Sequence, residues 1–125
     1  MFESKGNITV LTREGVQIVQ INDRQLLEQS VIDSITQNVS QLAYTEASPK
    51  LIIDRKAVEW MSSSGLGMLI AVDRVFKVRS GRAIVVGVRP EVRDVFKVSR
   101  VDQFMEIKLN VEEAMKSFRA DGKPT

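Results

Sequence analysis

Two hydrophobic rhythms run along this chain, and each change of rhythm marks an element. Residues 8–13, ITVLTR, and 16–21, VQIVQI, are rich in β-branched side chains and flank Glu14-Gly15, a natural short turn. They predict a hairpin in which Val16, Ile18 and Ile21 contribute to a buried face. Beyond Asn22-Asp23 the period lengthens. Leu27, Val31, Ile35, Val39 and Leu42 recur at three and four, with Glu28, Asp33, Gln37 and Gln41 on the other side. That spacing predicts an amphipathic helix over about residues 24–44, lying on one face of a sheet. ASPK ends it, because Pro49 disfavours helical backbone at Ser48.

The second half repeats a simpler unit. LIID, 51–54, and AIVVGV, 83–88, are short continuous apolar runs, the pattern of central strands buried on both faces. Between them a second helix is expected over about residues 64–79, stopped by Ser80-Gly81. Pro90 is placed to start a third helix with Val92, Val95 and Phe96 inward. QFMEI, 103–107, alternates like an edge strand, and Asn110 with Glu113 forms an N-cap and capping-box pair for a last helix. Val111, Ala114, Met115 and Phe118 form its inner side. The order β-β-α-β-α-β-α-β-α predicts one α/β domain over residues 1–118: a mixed sheet of four to five strands with about four helices. RADGKPT, 119–125, reads as a polar, disordered tail.

Composition narrows the chemistry. The chain of 125 residues has no cysteine and no histidine. Disulfides, thiolate chemistry, ordinary structural zinc sites and a Ser-His-Asp triad are therefore excluded within one chain. No metal site, cofactor or catalytic residue is expected. Glu3 and Lys5 stand where a signal peptide needs an apolar core, and Met68 to Val72 is far too short to span a bilayer. A cytoplasmic protein without membrane attachment is the expectation. The 18 basic and 16 acidic residues are mostly interspersed. One basic run, Arg74, Lys77, Arg79, Arg82, Arg89, Arg93, Lys97 and Arg100, suits exposed helix faces better than a patch for an acidic partner. Isolated Tyr44 and Trp60 offer no stacking platform for nucleic acid.

The stretch EWMSSSGLGML, 59–69, exceeds what a helix start requires. One serine suffices as an N-cap, yet three stand in a row. Gly65 and Gly67 would each cost about 0.8–1.0 kcal/mol relative to alanine inside a helix. A nucleophile elbow lacks its first glycine and a base. A phosphate cradle lacks the Gly-Lys-Ser/Thr or the full Gly-x-Gly-x-x-Gly of the known nucleotide loops. A serine that accepts a phosphate from another protein fits, since a helix N-terminus tolerates the added charge. Apolar residues run nearly all round the first turns of this helix. Exposure of some of them, Met68 among them, to a partner stands beside burial under a neighbouring helix.

LIIDRKAVEWMSSSGLGMLI, 51–70, resembles the signature of the STAS domain of bacterial anti-sigma factor antagonists, and AIVVGVRPEVRDVFKVSRVDQFMEIKLNVEEAMKSF is similar to the downstream part of that family's domain. The resemblance covers roughly residues 16–118. It implies a small non-catalytic α/β domain that binds an anti-sigma factor acting also as a serine kinase, with a PP2C-type phosphatase resetting the switch. By position the acceptor is Ser63, with Ser64 and Ser62 less favoured. Asp23, Ser62, Ser63, Ser64, Gly65, Leu66, Gly67 and Met68 are the implied partner-binding residues. Three positions depart from the family pattern: Ser62 replaces its Asp, Arg55 replaces an apolar residue, and INDRQLLEQ lacks its Gly-Glu-x-Asp. A constitutive scaffold with the same fold, or a small-ligand or nucleotide sensor, are the alternative readings. The apolar helix start permits a homodimer or a hetero-complex.

Overall fold

The computed structural model describes residues 2–5, 8–89, 103 and 105–122. Strands β2 (Ile8–Arg13) and β3 (Val16–Ile21) form the expected hairpin. Glu14 and Gly15 at its tip both have positive φ, 52° and 77°, the geometry that matches a two-residue turn to strand twist. β1 (Phe2–Lys5) adds antiparallel to β2. On the other side β3 pairs parallel with β5 (Lys50–Asp54), β5 with β7 (Arg82–Val86), and β7 with β8 (Glu106–Ile107). The sheet therefore runs β1-β2-β3-β5-β7-β8, six strands among the described residues. The N-terminal segment supplies the strand beyond the expected four or five.

Alternation along the central strands divides the apolar residues between two faces. Val19, Ile21, Leu51, Ile53, Ala83 and Val85 face helices α1 (Gln29–Gln41) and α2 (Ser63–Val78). Val16, Ile18, Ile52, Ile84 and Val86 face α3 (Val111–Gly122), which contributes Ala114, Met115 and Phe118. Ile21 thus lies on the face opposite Val16 and Ile18. The continuous apolar runs at β5 and β7 have this cause: every position in them meets a helix layer.

The first helix starts later than its periodicity suggested. Gln25–Leu26 form a short strand, β4, paired parallel with β6 (Trp60–Met61). Successive residues of extended chain point to opposite sides, so Leu26 is buried and Leu27 is turned outward, 52% exposed. The buried stripe of α1 is Ile32, Ile35 and Val39, with Val31 and Leu42 at its margin.

The α2 terminus at Ser80-Gly81 is as expected, but Ser80 carries the left-handed φ of 61° and the Gly81 N–H reaches back to the Phe76 carbonyl. The edge strand is shorter than QFMEI, and Met105 before it is buried in the α2-side core. Asn110 caps α3, accepting from the Glu113 N–H at 2.9 Å. The Glu113 carboxylate pairs with Lys116 instead, so half of the capping box forms. The helix continues to Gly122, and Arg119 donates to Glu14 at 2.7 Å; Arg119–Gly122 of the expected tail are helical. The helix expected from Pro90, with Val92, Val95 and Phe96, lies outside the described residues. No helix among the described residues is long and apolar enough to cross a membrane.

Candidate functional site

The serines sit where a short, well-held loop meets α2. After β5 the chain turns at residues 55–59. The Val58 N–H donates to the Arg55 carbonyl at 2.9 Å, and the Glu59 N–H to the Arg24 carbonyl at 2.7 Å. Arg24 Nε meets Glu59 Oε2 at 2.8 Å. This hydrogen bond holds the Glu59 carboxyl below its ordinary range and raises the Arg24 guanidinium. β4 and β6 then run side by side, and the Ser62 N–H donates to the Leu26 carbonyl at 3.1 Å.

Ser62 takes a different role from the two serines that follow it. Ser62 is the N-cap: its backbone is extended, φ −76° and ψ 170°, and its Oγ accepts from the Gly65 N–H at 3.3 Å. A side-chain oxygen at this position satisfies one of the donors that a helix start leaves over. Ser63 and Ser64 are the first two helical residues, and both are exposed. No acidic residue stands in the first turn.

The two glycines also differ. Gly65 is buried, and a Cβ there would collide with the Met61 Cγ. Gly67 is exposed and a Cβ would meet nothing within 4 Å. Leu66 is half-buried, whereas Met68 is 4% exposed and packs in the core with Leu69 and Val72. Met68, named among the implied partner-binding residues, is thus buried, the other of the two alternatives that the apolar helix start left open. α1 packs alongside α2 and, with the sheet, covers that apolar start. Asp23, half-buried, lies at the exit of β3 next to Arg24, and so borders the loop that leads to the serines. Leu27, one residue beyond the carbonyl that holds Ser62, is exposed, although helical periodicity had assigned it to the core.

Arg55, where the resemblance implies an apolar residue, is completely buried. Its Nη2 donates to the Val58 carbonyl at 2.9 Å. Burial, reinforced by the positive charge of Arg89, lowers its guanidinium to about 10. Such burial has no sequence signal beyond position: Arg55 continues the buried run of β5. The basic run resolves largely into internal contacts. Lys77 pairs with buried Asp73 at 2.8 Å, and Arg82 grips Glu106 and Ser117. Arg79 donates to the Ala43 carbonyl and lies over the Tyr44 ring at 4.9 Å. Arg93, Lys97 and Arg100 are outside the described residues.

Both the sequence and the fold have counterparts among known proteins. The STAS domain family model matches residues 7–114, and the chain belongs to that family. A structure of an anti-sigma-factor antagonist (STAS) domain protein from Planctomyces limnophilus aligns with TM-score 0.76 and 18% identity, over 88% of this chain and 96% of that one. The Bacillus cell fate determinant SpoIIAA in its phosphorylated form aligns with TM-score 0.66 and 20% identity, over 89% and 98%. The murine anion transporter Slc26a9 aligns with TM-score 0.69 and 17% identity, over 85% of this chain and 18% of that one. At these identities the structures share the fold. That fold is the one seen in anti-sigma factor antagonists, as the SSSGLG segment implied.

Proposed function

We propose that this STAS domain is a non-catalytic regulator of the anti-sigma factor antagonist type, switched by phosphorylation of Ser63. The observation that carries the reading is the division of labour among the serines. Ser62 is engaged as the N-cap, which leaves Ser63 and Ser64 exposed at the first two helical positions, and the family resemblance favours Ser63 of the two. Backbone N–H groups at a helix start, and the helix dipole, stabilise an added phosphate there. The new charge of about −1.5 to −2 would alter any surface docked on α2. Ser62 also answers for the missing family Asp, since Ser and Asp cap helices comparably well. The partner is an anti-sigma factor with serine-kinase activity, opposed by a PP2C-type phosphatase. Asp23, Ser62, Ser63, Ser64, Leu66 and Gly67 border the contact surface, and exposed Gly67 lets a partner backbone come close to the helix. The domain acts in the cytoplasm.

The test is incubation with ATP in lysate of the native source, followed by mass spectrometry of the tryptic peptide 57–74, which holds all three serines. Phosphate on Ser63, absent in Ser63→Ala, is the expected result. No phosphate, or phosphate on Ser64 alone, would overturn the assignment. Partner capture with Ser63→Glu separates the switch from a constitutive scaffold: the switch requires loss of the captured partner, the scaffold its retention.

A further inference from the structure

The loop that presents the serines is gripped from below by residues absent from the SSSGLG motif. Arg55 continues the sheet ladder, its N–H donating to the Val86 carbonyl at 3.1 Å. Its side chain then folds under the turn it begins, so that both polar backbone groups of Val58 bind Arg55: the N–H its carbonyl, the carbonyl its Nη2 at 2.9 Å. Lys56 N–H donates to Asp54 Oδ1 at 2.9 Å, and Arg89 Nη2 reaches the Lys56 carbonyl at 3.4 Å. Gly87 lies directly against this turn with a left-handed φ of 75°. A Cβ on it would stand 2.7 Å from the Lys56 nitrogen and 2.9 Å from Asp54 Oδ1.

A fully buried guanidinium is costly to desolvate, and an apolar side chain of similar length would pack as well. What an apolar side chain cannot do is donate to the Val58 carbonyl. Just beyond Val58, the Glu59 and Ser62 N–H groups fasten the chain to Arg24 and β4, so any shift of the turn is passed to the helix cap. We infer that Arg55 and Gly87 are positioning residues, which fix the backbone of residues 56–62 and through it the presentation of Ser63. This rests on the reading of Ser63 as the phosphate acceptor for its functional consequence, though not for its structural one.

The experiment compares amide hydrogen exchange in the wild-type chain, Arg55→Met, Arg55→Lys and Gly87→Ala. A hydrogen bond to a charged donor is lost in Arg55→Met, so exchange at Glu59 and Ser62 should quicken by about tenfold or more. The amides of α3 and of the β2–β3 hairpin should change by less than about twofold. Arg55→Lys, which keeps a donor, should restore part of the protection, and Gly87→Ala should quicken the same amides as Arg55→Met. Should Arg55→Met fail to fold, the other two variants carry the comparison. Phosphate incorporation into peptide 57–74 should slow by about tenfold or more in Arg55→Met. Uniform acceleration across the whole chain, or unchanged Glu59 and Ser62 amides in the folded variants, would overturn the inference. A wild-type chain that takes no phosphate yet shows the local exchange pattern refutes the acceptor and leaves the positioning role standing.

Discussion

Gly65 and Gly67 stand two residues apart in one helical turn, yet their surroundings predict opposite responses to a methyl group. At Gly65 the new Cβ would collide with the Met61 Cγ, which is not the free end of that side chain, so Met61 has to change rotamer or the backbone has to shift. Overpacking of this kind costs about 1–3 kcal/mol. At Gly67 there is open space, and alanine is the better helix former by about 0.8–1.0 kcal/mol. Thermal denaturation should therefore show a lower midpoint for Gly65→Ala and a midpoint a few degrees higher for Gly67→Ala. If Gly67 serves the approach of a partner, Gly67→Ala binds that partner less well despite its greater stability. Ser62→Ala should lose about 1 kcal/mol with the cap, and Ser62→Asp should retain it. The sequence showed the unusual concentration of serines and glycines, and the family resemblance favoured Ser63, but neither ranked the two glycines. The ranking depends on Met61, and Met61 is brought against Gly65 by a two-residue strand that has no periodicity to read. Arg55 is the plainest case: a charged residue in a run of buried positions, whose burial only the fold around it reveals.

Among the elements, those with long repeats were legible and those defined by a partner were not. The hairpin, β5, α2, β7 and the cap of α3 follow from local residues. β4 and β6 exist only because each pairs with the other, which displaced the start of α1 to Gln29. The junction of β7, β8 and α3 is held by a polar cluster of the same non-local kind. Arg82 binds Glu106 through two contacts of 2.5 Å and the Ser117 Oγ at 2.7 Å. The bond from Arg82 holds the Glu106 carboxyl below its ordinary range against a smaller opposing effect of burial. A depressed carboxylate stabilises the fold above its unfolded value, about pH 4.3, and loses that contribution as the pH falls through its lower folded value. Glu106→Gln should therefore be less stable than wild type at pH 7, with the difference shrinking towards pH 3. Thermal melts of both proteins at pH 7, 5 and 3 measure this. A gap that stays constant across the series would show that the ion pair is not its source.

For the whole molecule, the sheet separates the candidate site from the smaller of two cores. α1, α2 and the serines occupy one face; α3 covers the other with Ala114, Met115 and Phe118. Two further ties bind α3 to the hairpin tip, Arg13 to Glu112 at 2.8 Å and Arg119 to Glu14 at 2.7 Å. Their side chains are 40–62% exposed, and exposed pairs contribute little once solvent screening and side-chain entropy are counted. Phe118 is 3% exposed and lies beneath the Arg82 guanidinium, 5.1 Å from the ring centre. Its truncation to alanine should cost about 3–5 kcal/mol, a fall in midpoint of roughly 10 °C or more. The double variant Glu112→Gln/Arg119→Gln removes both ties and should lower the midpoint far less. Equal losses in the two variants would mean that charge and not packing docks α3. Because Phe118 lies across the sheet from α2, Phe118→Ala should still accept phosphate on Ser63 at temperatures where it is folded. A loss of phosphorylation in the folded Phe118→Ala protein would show that the two faces of the sheet are coupled.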